Sequence, residues 1–115
     1  MPKIITNEEL LFQIDSDSLY KDLINQLNKD FEIIGTDVDF SETKSPSNLA
    51  IFLQEVIAQL LEKHFDTFLN LLYRVDVKEA IIKEIINIQK ETMIQEISFL
   101  ILKREWQKVW YKKYY

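Results

Sequence analysis

The sequence lacks cysteine and contains only one glycine, two prolines and one histidine. Without cysteine it has no disulfide framework, no thiolate metal ligand and no cysteine nucleophile. So few glycines and prolines leave little material for tight turns, which argues against a hairpin-rich β fold. A single glycine also excludes a glycine-rich phosphate-binding loop. These absences favour a helical protein and exclude several kinds of catalytic and metal site.

Long apolar runs are absent as well. No segment approaches the ~18 apolar residues that a membrane span needs. The N-terminal stretch MPKIITNEELL has no basic region followed by an apolar run, as a signal peptide would. A chain of 115 residues, with 47% hydrophobic and 29% charged residues, is long enough for one domain with a real core. We therefore expect a single cytoplasmic domain, residues 1–115, that does not bind a membrane.

The first third of the chain contains one clear helix. Residues 1–14 are left open between a short helix capped by Asn7 and an extended N-terminal arm. After them, Asp17 or Ser18 begins a helix with apolar residues at helical spacing, and Gly35 ends it. Residues 35–46 have the polar composition of a loop.

One long central helix is predicted after this loop. Ser45 followed by Pro46 has the pattern of an N-cap and a first helical residue. The apolar stripe that follows includes His64, and it continues without glycine or proline as far as Val75. The helix is apolar over more than half of its surface, as expected of the central helix of a bundle. His64 is accordingly expected at or near the core.

Two further helix starts are predicted from capping boxes. Asp76 with Glu79 has the spacing of such a box, and Thr92 with Gln95 repeats it before the last helix. The sequence thus predicts an all-α, single-domain bundle of about four helices.

Catalytic chemistry is poorly supported by the sequence. The only histidine lies on an apolar stripe, where a structural role is more common than a role as general base. The carboxylates Asp37, Asp39 and Glu42 lack the central glycine and the terminal glutamate of a calcium loop. We therefore expect no catalytic, cofactor-binding or metal-binding residue, and we interpret the protein as not being an enzyme.

The last fifteen residues, ILKREWQKVWYKKYY, are basic and aromatic, whereas residues 1–42 hold ten acids and three basic residues. In helical projection the tryptophans continue an apolar stripe, and the lysines cover the remaining surface. The simplest interpretation is that Trp106 and Trp110 pack while the lysines solvate the helix end. The stripe also provides a candidate interaction surface, composed of Trp106, Val109, Trp110, Lys103, Lys108 and Lys112.

The segments LNLLYRVDVKEA and ILKREWQKVWYKKYY resemble those of a family of short, uncharacterised bacterial proteins of Bacteroidetes-like origin. The resemblance covers about half of the chain and its motifs are structural. It implies a helical bundle, and it implies no activity.

Two functions follow as predictions. The first is a non-enzymatic protein–protein interaction or self-associating module, either a homodimer or bound to another protein, because two apolar stripes on the last helix are hard to bury within one small domain. The competing interpretation is that residues 1–14 cover the second stripe. The alternative function is nucleic-acid binding by the basic and aromatic last helix. In that case Tyr111, Tyr114 or Tyr115 would stack on bases, and the phosphates would be contacted by Lys103, Arg104, Lys108, Lys112 and Lys113. Neither the partner nor the biological process can be read from the sequence.

Overall fold

The computed structural model describes residues 4, 6–16, 18–85 and 88–115. Within these ranges no strand occurs. The same residues form six helices: α1 (Asn7–Ser16), α2 (Tyr20–Ile33), α3 (Pro46–Lys63), α4 (Phe65–Val75), α5 (Glu79–Ile85) and α6 (Lys90–Tyr114). The predicted all-α class is confirmed, but the predicted number of about four helices is wrong.

The N-terminal residues form a helix that packs on the core. Thr6 caps it in place of Asn7, because the backbone N–H of Glu9 donates to Thr6 Oγ1 at 3.1 Å, the bond typical of an N-cap. Leu10 and Ile14, four residues apart, are fully buried, and α1 contacts α3 and α6. The helix considered from Asn7 onward is therefore observed, whereas the extended alternative for residues 3–7 lies partly outside the described residues.

The start of α2 differs from the prediction. Leu19 occupies the N-cap position and no side-chain hydrogen bond caps the helix, so Ser18 is not the cap. Leu19 is buried, and packing of an apolar side chain therefore anchors this end. Asp17, the other predicted cap, lies outside the described residues.

The end of α2 is at Gly35, as predicted. The φ angle of Gly35 is +93°, in the region where a Cβ atom would be strained. The N–H groups of Gly35 and Thr36 donate to the carbonyl oxygens of Glu32 and Phe31 at 3.0 and 3.1 Å. These two bonds form a Schellman motif, which satisfies carbonyls that the end of a helix would otherwise leave unpaired.

The start of α3 is also as predicted. Ser45 is its N-cap and accepts a bond from the backbone N–H of Asn48 at 3.2 Å, and Pro46 is the first helical residue. The loop before it is fixed by the fully buried ring of Phe40 and by Tyr20, whose hydroxyl donates to the carbonyl of Ser45 at 3.1 Å.

The predicted long central helix is wrong, because the helix is interrupted at His64. This residue has φ −140° and ψ 60°, outside the helical region. Its N–H donates to the carbonyl of Leu60 at 2.9 Å, which ends α3, and its carbonyl accepts from Phe68 at 3.0 Å, which begins α4. The side chain of His64 is exposed, so its expected place in the core is also wrong. The break turns the polar ring out to water, which supplies its hydrogen bonds.

The central helix of the protein is instead α6. It has 25 residues and contacts each of the other five described helices. It begins at Lys90 without a side-chain cap, so the predicted start at a Thr92–Gln95 capping box is wrong. Trp106 is fully buried in α6, where it joins apolar residues of α1 to α4 in one hydrophobic core.

The helix α4 ends in a left-handed residue. Asp76 has φ 65° and ψ 50°, and it is the one non-glycine residue with positive φ in the described part of the chain. The N–H groups of Asp76 and Val77 donate to the carbonyls of Tyr73 and Leu72 at 3.2 and 3.1 Å, the same motif that ends α2. The predicted capping box of Asp76 with Glu79 is therefore wrong, because Asp76 ends α4 and does not cap α5.

We expect the substitution Asp76→Gly to raise the free energy of unfolding by about 0.5–1 kcal/mol, because glycine has no Cβ to strain in the left-handed region. The carboxylate contributes little in return, since it lies 3.5 Å from Arg104 and is 83% exposed, and exposed ion pairs are weak. Urea unfolding measures the change. The control Asp76→Asn, which removes the charge and tolerates this conformation, should be nearly neutral. A lower unfolding midpoint for Asp76→Gly would contradict the helix-ending role.

Candidate interaction surfaces

The six residues predicted to form an interaction surface do not lie on one surface. Trp106 and Val109 are buried, because they face the core from the inner side of α6. Trp110 is half-buried. Lys103 lies apart from the other lysines and donates to the carbonyl of Ile4 at 2.7 Å. These four residues therefore belong to the core or its edge, and the other two, Lys108 and Lys112, belong to a charged surface described below.

A buried carboxylate is the base of this charged surface. Asp30, on α2, is fully buried and accepts hydrogen bonds from side chains of α2, α4 and α6. Arg74 Nε donates at 2.9 Å, Gln26 Nε2 at 3.0 Å and Lys108 Nζ at 3.1 Å. Burial alone would raise the pKa of Asp30, but the hydrogen bonds from these groups and from Glu105 favour the anion and lower the pKa to about 2.

A second buried carboxyl group, that of Glu105 on α6, lies next to Asp30. Burial raises its pKa to about 8, and its hydrogen bond to Asp30 and the negative charge of Asp30 act in the same direction. Lys108 Nζ is 3.2 Å from Glu105 Oε1, but no donor in the described part of the chain is aligned on either oxygen of Glu105. A protonated Glu105 that donates a hydrogen bond to Asp30 explains why its pKa is raised and why no donor is aligned on its oxygens. The two acids therefore carry one negative charge between them at neutral pH.

Four cations lie around this acid pair, and we name them, with Tyr111, the basic face: Lys29, Arg74, Lys108, Lys112 and Tyr111. They come from α2, α4 and α6 and, together with Gln26, line a shallow depression of about 580 Å³. Lys112 Nζ donates to Gln26 Oε1 at 3.2 Å. None of the described residues that line the depression is an acid, and the buried Asp30 carboxylate beneath it accepts hydrogen bonds from two of the cations, Arg74 and Lys108.

The end of α6 adds aromatic surface beside the basic face. The rings of Trp110 and Tyr114 are 4.7 Å apart, and those of Tyr111 and Tyr115 are 5.3 Å apart. The three tyrosines are exposed. The end of α6 therefore presents exposed aromatic rings to the solvent beside the basic face.

A second surface is apolar and lies on α4. We name Phe65, Leu69 and Tyr73 the apolar stripe. They follow one another at four-residue spacing, so they share one side of the helix, and they are 49%, 38% and 86% exposed. Leu69 and Tyr73 also border a hollow of about 380 Å³ between α4 and α5, which Val77 and Ile82 line. Large apolar side chains that adjoin in this way are uncommon on the surface of a monomer unless they bind something.

The sequence did not lead us to predict that Asp30, Glu105, Lys29 and Arg74 belong to a charged surface. One signal was available on α6, because Glu105 stands four residues after Ile101 and four before Val109. Both neighbours are buried, and helical spacing places Glu105 between them on the inner side. No comparable signal identifies Lys29 and Arg74, which join Lys108 and Lys112 only because α2, α4 and α6 meet.

Asp39, one of the carboxylates compared above with a calcium loop, makes hydrogen bonds within its own part of the chain. Asp39 accepts from Asn28 and from the backbone N–H of Ser41 at 3.1 and 2.9 Å, so it holds the loop before α3. Within the described ranges, no three histidine, aspartate or glutamate side chains are grouped closely enough to bind a metal ion. None of the helices found there has the length and apolar character needed to cross a bilayer.

Comparison with protein-family models, with curated proteins and with solved structures finds no match for this chain. The resemblance to the bacterial family therefore stays a prediction. The molecule is an all-α protein with an apolar stripe on α4 and a basic face where α2, α4 and α6 meet.

Proposed function

We propose that this protein is a non-enzymatic, self-associating module, and that two copies pair through the apolar stripe of α4. The observation that carries the proposal is the exposure of Phe65, Leu69 and Tyr73 along one side of a single helix. Covering them removes apolar area from water, which is the main driving force for association.

A second copy of the chain suits this stripe because the stripe is nearly symmetric. Leu69 stands at its centre, with one aromatic residue four positions away on each side. Antiparallel pairing about a two-fold axis places Leu69 against its own counterpart, and Phe65 against the partner copy's tyrosine at the other end. One patch then serves both copies, which is the defining property of a two-fold interface.

The charges around the stripe are compatible with the same pairing. Asp66 lies in the first turn of α4 and Lys78 lies just beyond its last turn, and both are exposed. Antiparallel pairing brings Asp66 of each copy towards the end of α4 that carries Lys78 in the other copy. The exposed acids Asp76 and Glu79 lie at that same end, so the charges there are mixed and do not by themselves favour the pairing. The helix dipoles oppose each other in this arrangement, which is favourable.

The interface is small, so the dimer is expected to be weak. A helix of 11 residues is about 16 Å long, and pairing it covers less than the ~1,600 Å² that a standard stable interface buries. We expect a dissociation constant in the micromolar range. The sequence predicts the interface on α6. We propose α4 instead, because Trp106 and Val109 are already buried within one copy. A cytoplasmic location remains part of the prediction.

We expect Leu69→Glu to weaken self-association by roughly a hundredfold, because it places two like charges at the centre of the interface. Sedimentation equilibrium over a range of protein concentrations measures the mass. The matched control is Ile51→Glu, at a residue of α3 that is also apolar and 57% exposed but lies outside the stripe. It should leave the dissociation constant unchanged.

A second variant separates loss of pairing from loss of folding. Tyr73 is 86% exposed, so Tyr73→Glu should leave the helical circular-dichroism spectrum and the unfolding midpoint intact while weakening self-association. A wild-type protein with the mass of a single chain at tens of micromolar would refute pairing through α4. Equal weakening by Ile51→Glu would locate the contact elsewhere.

A further inference from the structure

We propose that the basic face binds single-stranded nucleic acid, with phosphates at Lys29, Arg74 and Lys112 and a base stacked on Tyr111. This function goes beyond self-association and uses a different surface. It depends on the convergence of cations from three helices on one depression beside exposed aromatic rings.

Two of the cations are held in place by the protein itself. Asp30 is fully buried and receives hydrogen bonds from Arg74 Nε and Lys108 Nζ. The positions of both side chains are therefore fixed before a ligand arrives, which lowers the entropic cost of binding. Arg74 makes its side-chain bond through Nε, and within the described residues neither terminal nitrogen has a hydrogen-bond partner. Those two nitrogens have the spacing that two phosphate oxygens require.

The remaining cations are free to move towards a phosphate chain. Lys29 is exposed, and Lys112 makes a single bond to the neutral oxygen of Gln26. A strand that exchanges this bond for a phosphate contact gains a charge-assisted hydrogen bond. None of the described residues that line the depression is an acid, so its local charge is positive although the whole chain carries −5.

An unpaired base fits the aromatic surface better than a duplex does. Tyr111 lines the depression and its ring lies against those of Trp110 and Tyr115, at 5.5 and 5.3 Å between centroids. Base stacking on an exposed ring requires a base that is not already stacked within a duplex. The shallow shape of the depression also suits a flexible strand that lies across it.

The test is a titration of fluorescently labelled oligothymidylate with the full chain, followed by anisotropy at several salt concentrations. Three to four phosphate contacts predict that log K falls with log salt with a slope of about −2 to −3 for a single strand. Lys29→Gln and Lys112→Gln should each reduce that slope by about 0.7. Tyr111→Ala should weaken binding about tenfold without changing the slope.

The matched controls are Lys44→Gln and Lys90→Gln, at exposed lysines outside the basic face. Each removes the same charge and should leave the slope of log K against log salt unchanged. Leu69→Glu, which disrupts the proposed dimer, should leave the affinity of one chain for the oligonucleotide unchanged. The dimer proposal and the nucleic-acid proposal can therefore fail independently of each other. No saturable binding at the lowest salt would overturn the inference. So would equal weakening by the control lysines, or binding to anionic lipid vesicles without binding to the oligonucleotide.

Discussion

Replacement of Asp30 by alanine is expected to lower the free energy of unfolding by roughly 3 kcal/mol. The carboxylate is fully buried and receives the hydrogen bonds of Arg74, Gln26 and Lys108. Alanine leaves these donors without their acceptor. It also leaves the protonated carboxyl group of Glu105 without the acceptor of its hydrogen bond. Arg74 and Lys108 are 39% and 26% exposed, so water recovers part of the loss, which keeps the figure at the lower end for buried ion pairs.

Chemical denaturation at neutral pH measures this loss. Glu32→Ala is the matched control, because Glu32 is an exposed acid on the same helix, and its removal should change the free energy by no more than about 0.5 kcal/mol. Equal effects of the two substitutions would mean that Asp30 behaves as an ordinary surface acid. The proposed preorganisation of Arg74 and Lys108 would then be withdrawn as well.

Stability is expected to fall by a few kcal/mol as the pH rises from about 4.5 to about 8, because of Glu105. Its pKa is raised in the folded protein, so the folded state binds the proton more tightly than the unfolded state. The stabilisation is fully present below the ordinary pKa and is lost as the pH rises through the folded value. Asp30 acts in the opposite sense, since its pKa is lowered to about 2 and its contribution is lost as the pH falls from 3.8 towards that value. These two groups together place maximal stability near pH 4 to 4.5.

Urea unfolding of the wild type and of Glu105→Gln across this pH range tests the assignment. Glutamine has nearly the same shape, and its amide can donate to Asp30 without titrating. We expect the variant to lose most of the pH dependence between pH 5 and 8 and to be more stable than the wild type at pH 8. Parallel curves for the two proteins would show that another group titrates, or that Glu105 is ionised when folded.

Local signals explain which helix boundaries could be predicted. Gly35 ends α2 and Ser45 begins α3, because a left-handed turn and an N-cap depend on a few adjacent residues. The break at His64 carries no such signal, since neither glycine nor proline is present and the apolar spacing continues through it. It is favoured by packing, because α3 contacts α1 and α6 whereas α4 contacts α2 and α6. Asp76 was misread for a related reason, since aspartate suits both a helix start and a left-handed helix end.

The candidate surfaces were harder to predict than the fold. The basic character of the last helix was visible, and Lys108 and Lys112 do lie on the basic face. Lys29 and Arg74 join them only through the packing of α2 and α4 against α6, which no local pattern encodes. The apolar stripe was not predicted either. Phe65 and Leu69 continue the apolar spacing of the predicted central helix and so look like core residues in the sequence, whereas the structure leaves both exposed.

The position of α6 has a consequence for the synthesis of the protein. Ribosomes release α1 to α5 before α6, yet every one of those helices contacts α6, and Lys103 binds the carbonyl of Ile4 at the opposite end of the described chain. Until Trp106 emerges, the apolar sides of the earlier helices have no common partner, and the nascent chain exposes them to the cell. We expect folding to be delayed until α6 has left the ribosomal tunnel and then to proceed as one cooperative step.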